Sequence, residues 1–214
     1  MQLIDYPNAE SCLMHLVRHG ATDHNLHIPP VMQGQGVNGP LAEVGRLQAQ
    51  RAAAALAARP LAKIYSSPLA RALETANAIA APHGLEPVVA PELIEVDVGD
   101  WEGLSWGEIQ RDDAKRYAEF MDAEGDHGYP GGERMSEVLG RVEPALAAIM
   151  ERHVGEEIVV VAHSVVNRLY LAKLLGAPIG HRYRLQQLNC AINTLRCRDG
   201  KAKVVTLNAS LHLL

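Results

Sequence analysis

Apolar and polar positions alternate between two kinds of segment along the chain. Short, almost wholly apolar runs, such as CLMHLV (residues 12–17) and EIVVVAHS (157–164), are typical of strands buried on both faces of a parallel sheet. Longer segments rich in alanine and leucine, residues 41–59 and 69–83, favour helices. Because strand and helix signals alternate, the sequence predicts an α/β protein, a three-layer αβα sandwich with a mostly parallel mixed sheet.

The remaining elements complete one domain over residues 1–214, without repeats, low-complexity tracts or linkers. Pro144 predicts a kink or a break in its helix, and Asp199-Gly200 predicts a tight hairpin. In chain order these elements are a strand at 61–67, a short strand at 85–93 whose prolines indicate a sheet edge, a helix from Ser105 to about Ala123, helices at 136–153 and 165–176, and strands at 191–198 and 202–208.

Net charge, the length of the apolar runs and the cysteine spacing argue against several classes of protein. The net charge of −5 disfavours a broad nucleic-acid surface. No apolar run approaches the roughly 20 residues that span a bilayer, and the first ten residues lack the order of a secretory signal. The three cysteines, Cys12, Cys190 and Cys197, match no metal-binding spacing, which favours a reduced cytoplasmic chain. We therefore expect a cytoplasmic protein with neither nucleic-acid nor membrane partners.

Polar residues that could carry chemistry follow several of the predicted strands. Ligands of doubly wound sheets bind beyond the carboxyl ends of the strands. Each residue alone has a structural explanation, since a lone histidine at a strand end is most often a satisfied structural residue, but those explanations do not predict convergence at one edge. The candidates are Arg18, His19 and Gly20 after the first strand, Ser66 and Ser67 leading to Arg71, Glu95 after the edge strand, and His163 with Ser164.

Such a group suits phosphoryl transfer through a phosphohistidine. Arginine offers planar bidentate donors to the oxygens of a phosphomonoester, and a neutral imidazole is a competent nucleophile near pH 7. A carboxylic acid can protonate the leaving oxygen and then activate water. Gly20 allows the backbone to approach a ligand closely, and a helix that starts near Ala21 would add amide donors.

The same stretches resemble a known family. LVRHGATDHN resembles the R-H-G-x-[ST]-x-x-N signature of the histidine phosphatase superfamily, in its phosphoglycerate-mutase-like branch. The resemblance runs in order from Leu13 to Leu213 and implies the phosphoglycerate-mutase-like version of the predicted sandwich. The further matching stretches are MQGQGVNGPLAEVGRLQA, YSSPLARALETA, ELIEVDVGDWEG, YPGGE, VVVAHS and LNASLHL.

The resemblance implies a role for each matching residue. His19 would be the phosphorylated nucleophile, and Glu95 the proton donor and acceptor. Arg18, Arg71 and His163 would bind the phosphoryl group. The family needs no metal or other cofactor, acts on small-molecule phosphomonoesters and often forms homodimers. The residues implied to line the phosphate and substrate pocket are Thr22, Asn25, Gln33, Gly34 and Ser164.

The acid segment favours a phosphatase over a mutase. Mutases of this family resemble E-R-H-Y-G-x-L-Q-G there, followed by a longer insertion, whereas this chain has EVDVGDWEG and reaches Pro130 after a short one. A more open pocket admits water, so hydrolysis should win over re-transfer. A phosphoglycerate mutase and a non-catalytic phosphate-binding member remain alternatives, although the latter would typically have lost one of the five central residues.

A metal-dependent hydrolase is the other alternative. It would use His19, His24 and His27, but the spacing of His24 and His27 precedes two prolines and lacks a carboxylate in helical register. His24, His27 and His127 do not match fixed positions of the family pattern.

The chain also departs from the family pattern. Ser164 replaces a common glycine, and Asn38-Gly39 replaces a frequent acidic residue. Arg134, where serine is usual, is either an extra cation near the mouth or a solvated residue at a helix start. Specificity is expected between Gly99 and Gly132, where the residues name no leaving group. Sugar phosphates, phosphoglycerates, nucleotide-derived monoesters and ribazole phosphate are all compatible.

Overall fold

A computed structural model describes residues 9–121 and 126–214, which form a twisted sheet with helices on both faces. The strands in this part of the chain are β1 (Ser11–Arg18), β2 (Leu61–Ser66), β3 (Val88–Val89), β4 (Glu157–Ala162), β5 (Ile192–Arg198) and β6 (Lys201–Ala209). The helices are α1 (Asp23–Leu26), α2 (Glu43–Leu56), α3 (Ala70–Ala80), α4 (Trp106–Asp112), α5 (Ala114–Met121), α6 (Met135–Arg152) and α7 (Ser164–Leu174).

The sheet order is β3-β2-β4-β1-β5-β6. The first four strands are parallel, and β5 and β6 are antiparallel to their neighbours. The predicted mostly parallel mixed sheet is therefore confirmed. Arg18 at the end of β1 lies beside Ala162 at the end of β4, so the residues that follow these two central strands emerge at the same edge.

The two faces of the sheet are covered by different helices. Along β4, Val159 and Val161 pack in one apolar cluster with residues of α2 and α3. Ile158 and Val160 pack in the other cluster, with residues of α6 and α7. This alternation makes a three-layer sandwich that holds the ends of β1 and β4 rigidly. Among the helices of residues 9–121 and 126–214, none has the length and apolar character needed to cross a bilayer.

The hairpin and the edge strand agree with the sequence. Asp199 and Gly200 have φ angles of 51° and 68° and join β5 to β6, with Arg198 paired to Lys201. Two consecutive left-handed residues are what a two-residue type I′ turn requires. The predicted strand at 85–93 is reduced to the two residues of β3, but it does lie at the sheet edge.

Of the kink or break predicted at Pro144, the break is wrong, because α6 continues from Met135 to Arg152 with the proline inside it. Proline removes one hydrogen bond to the carbonyl four residues earlier, here Gly140. Both Pro144 and Gly140 are exposed, so the freed carbonyl is on the solvent side of the helix, where water can satisfy it.

The single helix predicted from Ser105 is also wrong, because α4 and α5 are separate. Asp113, between them, has φ −136° and ψ 41°, which are not helical. Its carboxylate accepts hydrogen bonds from Trp101 Nε1 (2.8 Å) and from Arg116 Nε (2.9 Å). These tertiary contacts outweigh the helix propensity of the segment. The predicted end of this helix at Ala123 lies outside the described residues.

Candidate active site

The two histidines predicted at strand ends meet at one edge of the sheet. His19 follows β1 and His163 follows β4, and their ring centroids are 5.2 Å apart. The His19 backbone N–H donates to Ala162 O at 3.0 Å, which extends the pairing of the two strands by one residue. Both side chains are buried. The convergence expected from the sequence is thus present in the structure.

A backbone contact fixes the tautomer of His19. Its Nδ1 lies 2.7 Å from Gly20 O, and a carbonyl oxygen only accepts, so Nδ1 carries the proton. The lone pair is therefore on Nε2. Burial, and then the charges of Arg18 and Arg71, hold the pKa of His19 well below its usual 6.5. A buried, neutral imidazole with its lone pair on Nε2 is a ready nucleophile.

His163 presents a donor next to that lone pair. Its Nε2 lies 2.7 Å from Ser67 Oγ, and its buried Nδ1 has no partner among the described residues. When Ser67 donates to Nε2, the remaining ring proton is on Nδ1. Burial and the charge of Arg71 hold the pKa of His163 well below its usual value, so this ring is also neutral.

Arg71 hydrogen-bonds the neighbouring loop that contains Gly34 and Val37. It is fully buried on α3, and it donates to Gly34 O (2.9 Å) and Val37 O (3.0 Å). Its Nε is buried without a partner in the described structure. Burial lowers the pKa of Arg71, which Glu95 and Glu102 counteract. One edge of the guanidinium therefore holds the loop, while Nε remains available to a ligand.

Arg18 is half-buried at the end of β1. It donates from Nη1 to Gln187 O at 2.7 Å, and its Nε is buried with no described partner. Burial, and then repulsion by Arg168, lower the pKa of Arg18 to about 10, so it stays charged at neutral pH. Buried donors are costly unless they are paired. Arg18 Nε and Arg71 Nε, together with His163 Nδ1 in the tautomer in which Ser67 donates to Nε2, are thus buried donors that an anion with several acceptor oxygens would pair.

Glu95 lies against the start of α7. Its Oε1 accepts from Val96 N (3.0 Å) and its Oε2 from Val165 N (3.3 Å), the second residue of that helix. Its own carbonyl is held by Gln35 Nε2 (2.9 Å) and Arg141 Nη2 (3.1 Å). Backbone and side chain are both fixed, so the carboxyl group has one defined position at the start of α7, the helix that follows His163.

Four of the five predicted pocket residues belong to one network. Thr22 caps α1 in a capping box with Asn25, and its Oγ1 donates to Gln33 Oε1 at 2.8 Å. Gly34 is held through its carbonyl by Arg71. Ser164, in contrast, is the half-buried first residue of α7, with no side-chain hydrogen bond found among the described residues. It joins the site only through its position next to His163.

Sequence reasoning assigned no role to Glu102. Its carboxylate accepts from the backbone N–H groups of Gly34 (2.8 Å), Gly36 (3.2 Å) and Val37 (3.2 Å). Glu102 therefore fixes the loop that Arg71 also holds. A side chain at Gly34 would place its Cβ 2.6 Å from Val96 O, so that position requires glycine. The W-E-G stretch of the resemblance was the signal that could have revealed Glu102.

Asn189 is a second residue that sequence reasoning missed. Its Nδ2 donates to His19 O (3.0 Å) and to Asn25 Oδ1 (3.3 Å). It therefore ties the nucleophile's backbone to the pocket network. No motif of the resemblance includes this residue.

The remaining unusual residues lie apart from this cluster. His27 is exposed and contacts Pro29 O, and Arg134 caps α6 and pairs with Asp126. Arg134 is therefore a helix-start residue. Across residues 9–121 and 126–214, no group of three or more His, Cys, Asp or Glu side chains is placed to hold a metal ion.

The low pKa values of His19 and His163 predict a loss of stability in mild acid. The unfolded chain binds a proton at each histidine as the pH falls below 6.5, whereas the folded chain does not. The free energy of unfolding should therefore fall by up to about 2.7 kcal/mol per pH unit from these two residues. Urea unfolding at about pH 7.5 and about pH 5.5 measures this slope. His163→Gln should remove about half of it; an unchanged slope would contradict the interpretation.

Comparison with known proteins agrees with this geometry. A sequence model of the histidine phosphatase superfamily (branch 1) matches residues 14–210. Phosphoserine phosphatase 1 of Hydrogenobacter thermophilus is 31% identical, with 92% of each chain covered. A metal-independent phosphoserine phosphatase of Arabidopsis thaliana is 36% identical, over 92% of this chain and 82% of the relative. The solved structure of Bacillus stearothermophilus YhfR has a TM-score of 0.88 at 30% identity, over 95% of this chain and all of the other.

The chain therefore belongs to the histidine phosphatase superfamily, branch 1. The phosphoglycerate-mutase-like sandwich and the family membership expected from the sequence are both confirmed. Its class of enzyme is a metal-independent histidine phosphatase, a phosphomonoester hydrolase, as the motifs indicated.

Proposed function

We propose that the protein hydrolyses small phosphomonoesters through a phosphohistidine formed on His19 Nε2. The observation that carries the proposal is the arrangement around that atom. Its lone pair is fixed by the bond from Nδ1 to Gly20 O, and three buried donors without described partners, Arg18 Nε, Arg71 Nε and His163 Nδ1, belong to the same cluster. A phosphoryl group supplies both the electrophile and the missing acceptors.

In the first step, Nε2 attacks phosphorus and the bond between phosphorus and the ester oxygen breaks. Arg18 and Arg71 stabilise the charge on the non-bridging oxygens, and His163 donates to the same group. Glu95, as a carboxylic acid, gives its proton to the leaving oxygen, so that the product departs as an alcohol.

In the second step, Glu95 is a carboxylate and takes a proton from water. The water oxygen attacks phosphorus, and the bond from phosphorus to Nε2 breaks. Inorganic phosphate leaves, and both His19 and Glu95 return to their starting states. No metal ion takes part in either step.

The short insertion between the Glu95 segment and Pro130 supports hydrolysis rather than transfer to a second substrate. The names of the two relatives also make phosphoserine a candidate substrate. A phosphoglycerate mutase remains the alternative function. We also propose that residues 1–214 form a single domain, that the protein forms a homodimer and that it is cytoplasmic. The three cysteines are free and buried, which supports a reducing compartment.

The test uses the wild-type protein and p-nitrophenyl phosphate with excess chelator. We expect release of inorganic phosphate, together with an acid-labile, base-stable phosphate on the protein when turnover is quenched. Activity that disappears with chelator and returns with a divalent metal would overturn the mechanism. Isomerisation of phosphoglycerate faster than phosphate release would instead establish the mutase.

A further inference from the structure

Arg168 lies on α7, near the group that would protonate the leaving oxygen. It is three residues beyond Val165, whose N–H donates to Glu95 Oε2 at 3.3 Å. Residues three apart on a helix are neighbours on one face. Arg168 therefore lies within one helical turn of the residue that binds the Glu95 carboxylate.

One segment holds Arg168 next to Arg18. Leu185 O accepts from Arg168 Nε at 2.9 Å, and Gln187 O accepts from Arg18 Nη1 at 2.7 Å. Only one residue, Gln186, separates the two acceptors. The two guanidinium groups are therefore close neighbours.

The electrostatics agree with that placement. The charge of Arg168 contributes, after burial, to the lowered pKa of Arg18. Burial lowers the pKa of Arg168 itself, and the charge of Glu95 opposes the change. Arg18 and Glu95 are thus both within electrostatic range of Arg168.

Arg168 has donors to spare. It is half-buried, and no ion pair between it and a carboxylate is found in the described part of the chain. Its Nε is committed to Leu185 O, so the edge formed by Nη1 and Nη2 remains for another group. That edge matches the two oxygens of a carboxylate. A carboxylate also relieves the repulsion between the two neighbouring arginines.

We propose that Arg168 binds a carboxylate of the leaving group, so that the substrates are phosphomonoesters of small hydroxy acids. This inference rests on the proposed function and adds a residue that sets specificity to it. Because Arg168 and Arg18 bind carbonyls of the same short segment, Arg168 suits a carboxylate only a few bonds from the ester oxygen. A long or bulky leaving group would place its charge beyond this reach.

The test compares two substrates that differ by the carboxylate alone. Phosphoserine carries it, and phosphoethanolamine does not. We expect wild type to favour phosphoserine in kcat/KM, and Arg168→Gln to lower kcat/KM for phosphoserine by roughly 10- to 100-fold, mainly through KM. Phosphoethanolamine and p-nitrophenyl phosphate should change by less than about 3-fold. Arg168→Lys should restore part of the preference, since it keeps the charge but not the fork.

The matched control is Arg184→Gln, which removes the same charge at an exposed neighbouring position. It should leave the preference unchanged. Equal losses on both substrates in Arg168→Gln would show a structural role and overturn the proposal. A wild type that does not prefer phosphoserine would also overturn the proposal. The same holds for a wild type that prefers a substrate with a second phosphate to a substrate with a carboxylate. Failure of the proposed function looks different, because wild type would then release no phosphate from p-nitrophenyl phosphate.

Discussion

Replacing His19 with alanine should reduce phosphatase activity by at least about 10⁴-fold, because it removes the atom that accepts the phosphoryl group. Arg18, Arg71 and His163 would still bind phosphate, so KM should change far less than kcat. Initial rates with p-nitrophenyl phosphate measure the loss. The acid-labile phosphate on the quenched protein should disappear with it.

His27→Ala is the matched control for that experiment. His27 is exposed and contacts only Pro29 O among the described residues. Its replacement should leave the rate within about 2-fold of wild type. If His19→Ala kept substantial activity, the phosphohistidine mechanism would be wrong. If His27→Ala lost as much activity as His19→Ala, His19 and His27 would act together, as the metal-dependent alternative requires.

Glu95→Gln should lower kcat by about 10²- to 10⁴-fold, because the amide neither donates an acidic proton nor accepts one from water. Both carboxylate oxygens accept from backbone N–H groups, those of Val96 and Val165. The amide nitrogen of glutamine would face one of these donors and lose that bond. With p-nitrophenyl phosphate, whose leaving group needs little protonation, the first step should suffer less than the second.

Rapid-mixing kinetics detect this difference between the steps. Glu95→Gln should give a burst of p-nitrophenol close to one per active site, followed by a slow steady state, with phosphohistidine accumulating. Glu92→Gln, an exposed carboxylate three residues earlier, serves as the control and should show wild-type turnover. A slow steady state without a burst would mean that formation of the phosphohistidine is the slowed step, so that Glu95 acts mainly on the first step.

The central site residues were predictable because their positions follow from strand ends. Once the apolar runs are assigned to β1 and β4, the parallel register places Arg18 next to Ala162 and brings His19 to His163. The chemistry of each side chain then limits what the group can do.

The supporting contacts were not predictable in the same way. Leu185 and Gln187 act through backbone carbonyls, and a carbonyl leaves no trace in the residue type. Asp113 ends α4 where its carboxylate accepts a hydrogen bond from Trp101, a residue outside the helix. Pro144 is tolerated because of the side of α6 on which it lies. Each outcome depends on the tertiary environment, which local pattern does not contain.

The contacts that complete the nucleophile's surroundings have a consequence for synthesis of the protein. His19 is made early, yet its carbonyl is held by Asn189, and Arg18 is held by Gln187. A ribosome must therefore add most of the chain before these supports exist. A nascent chain that has emerged only as far as α7 carries both histidines without the contacts that orient the adjoining arginine. We therefore expect competence for catalysis to appear late during translation, after Gln187 and Asn189 have been added.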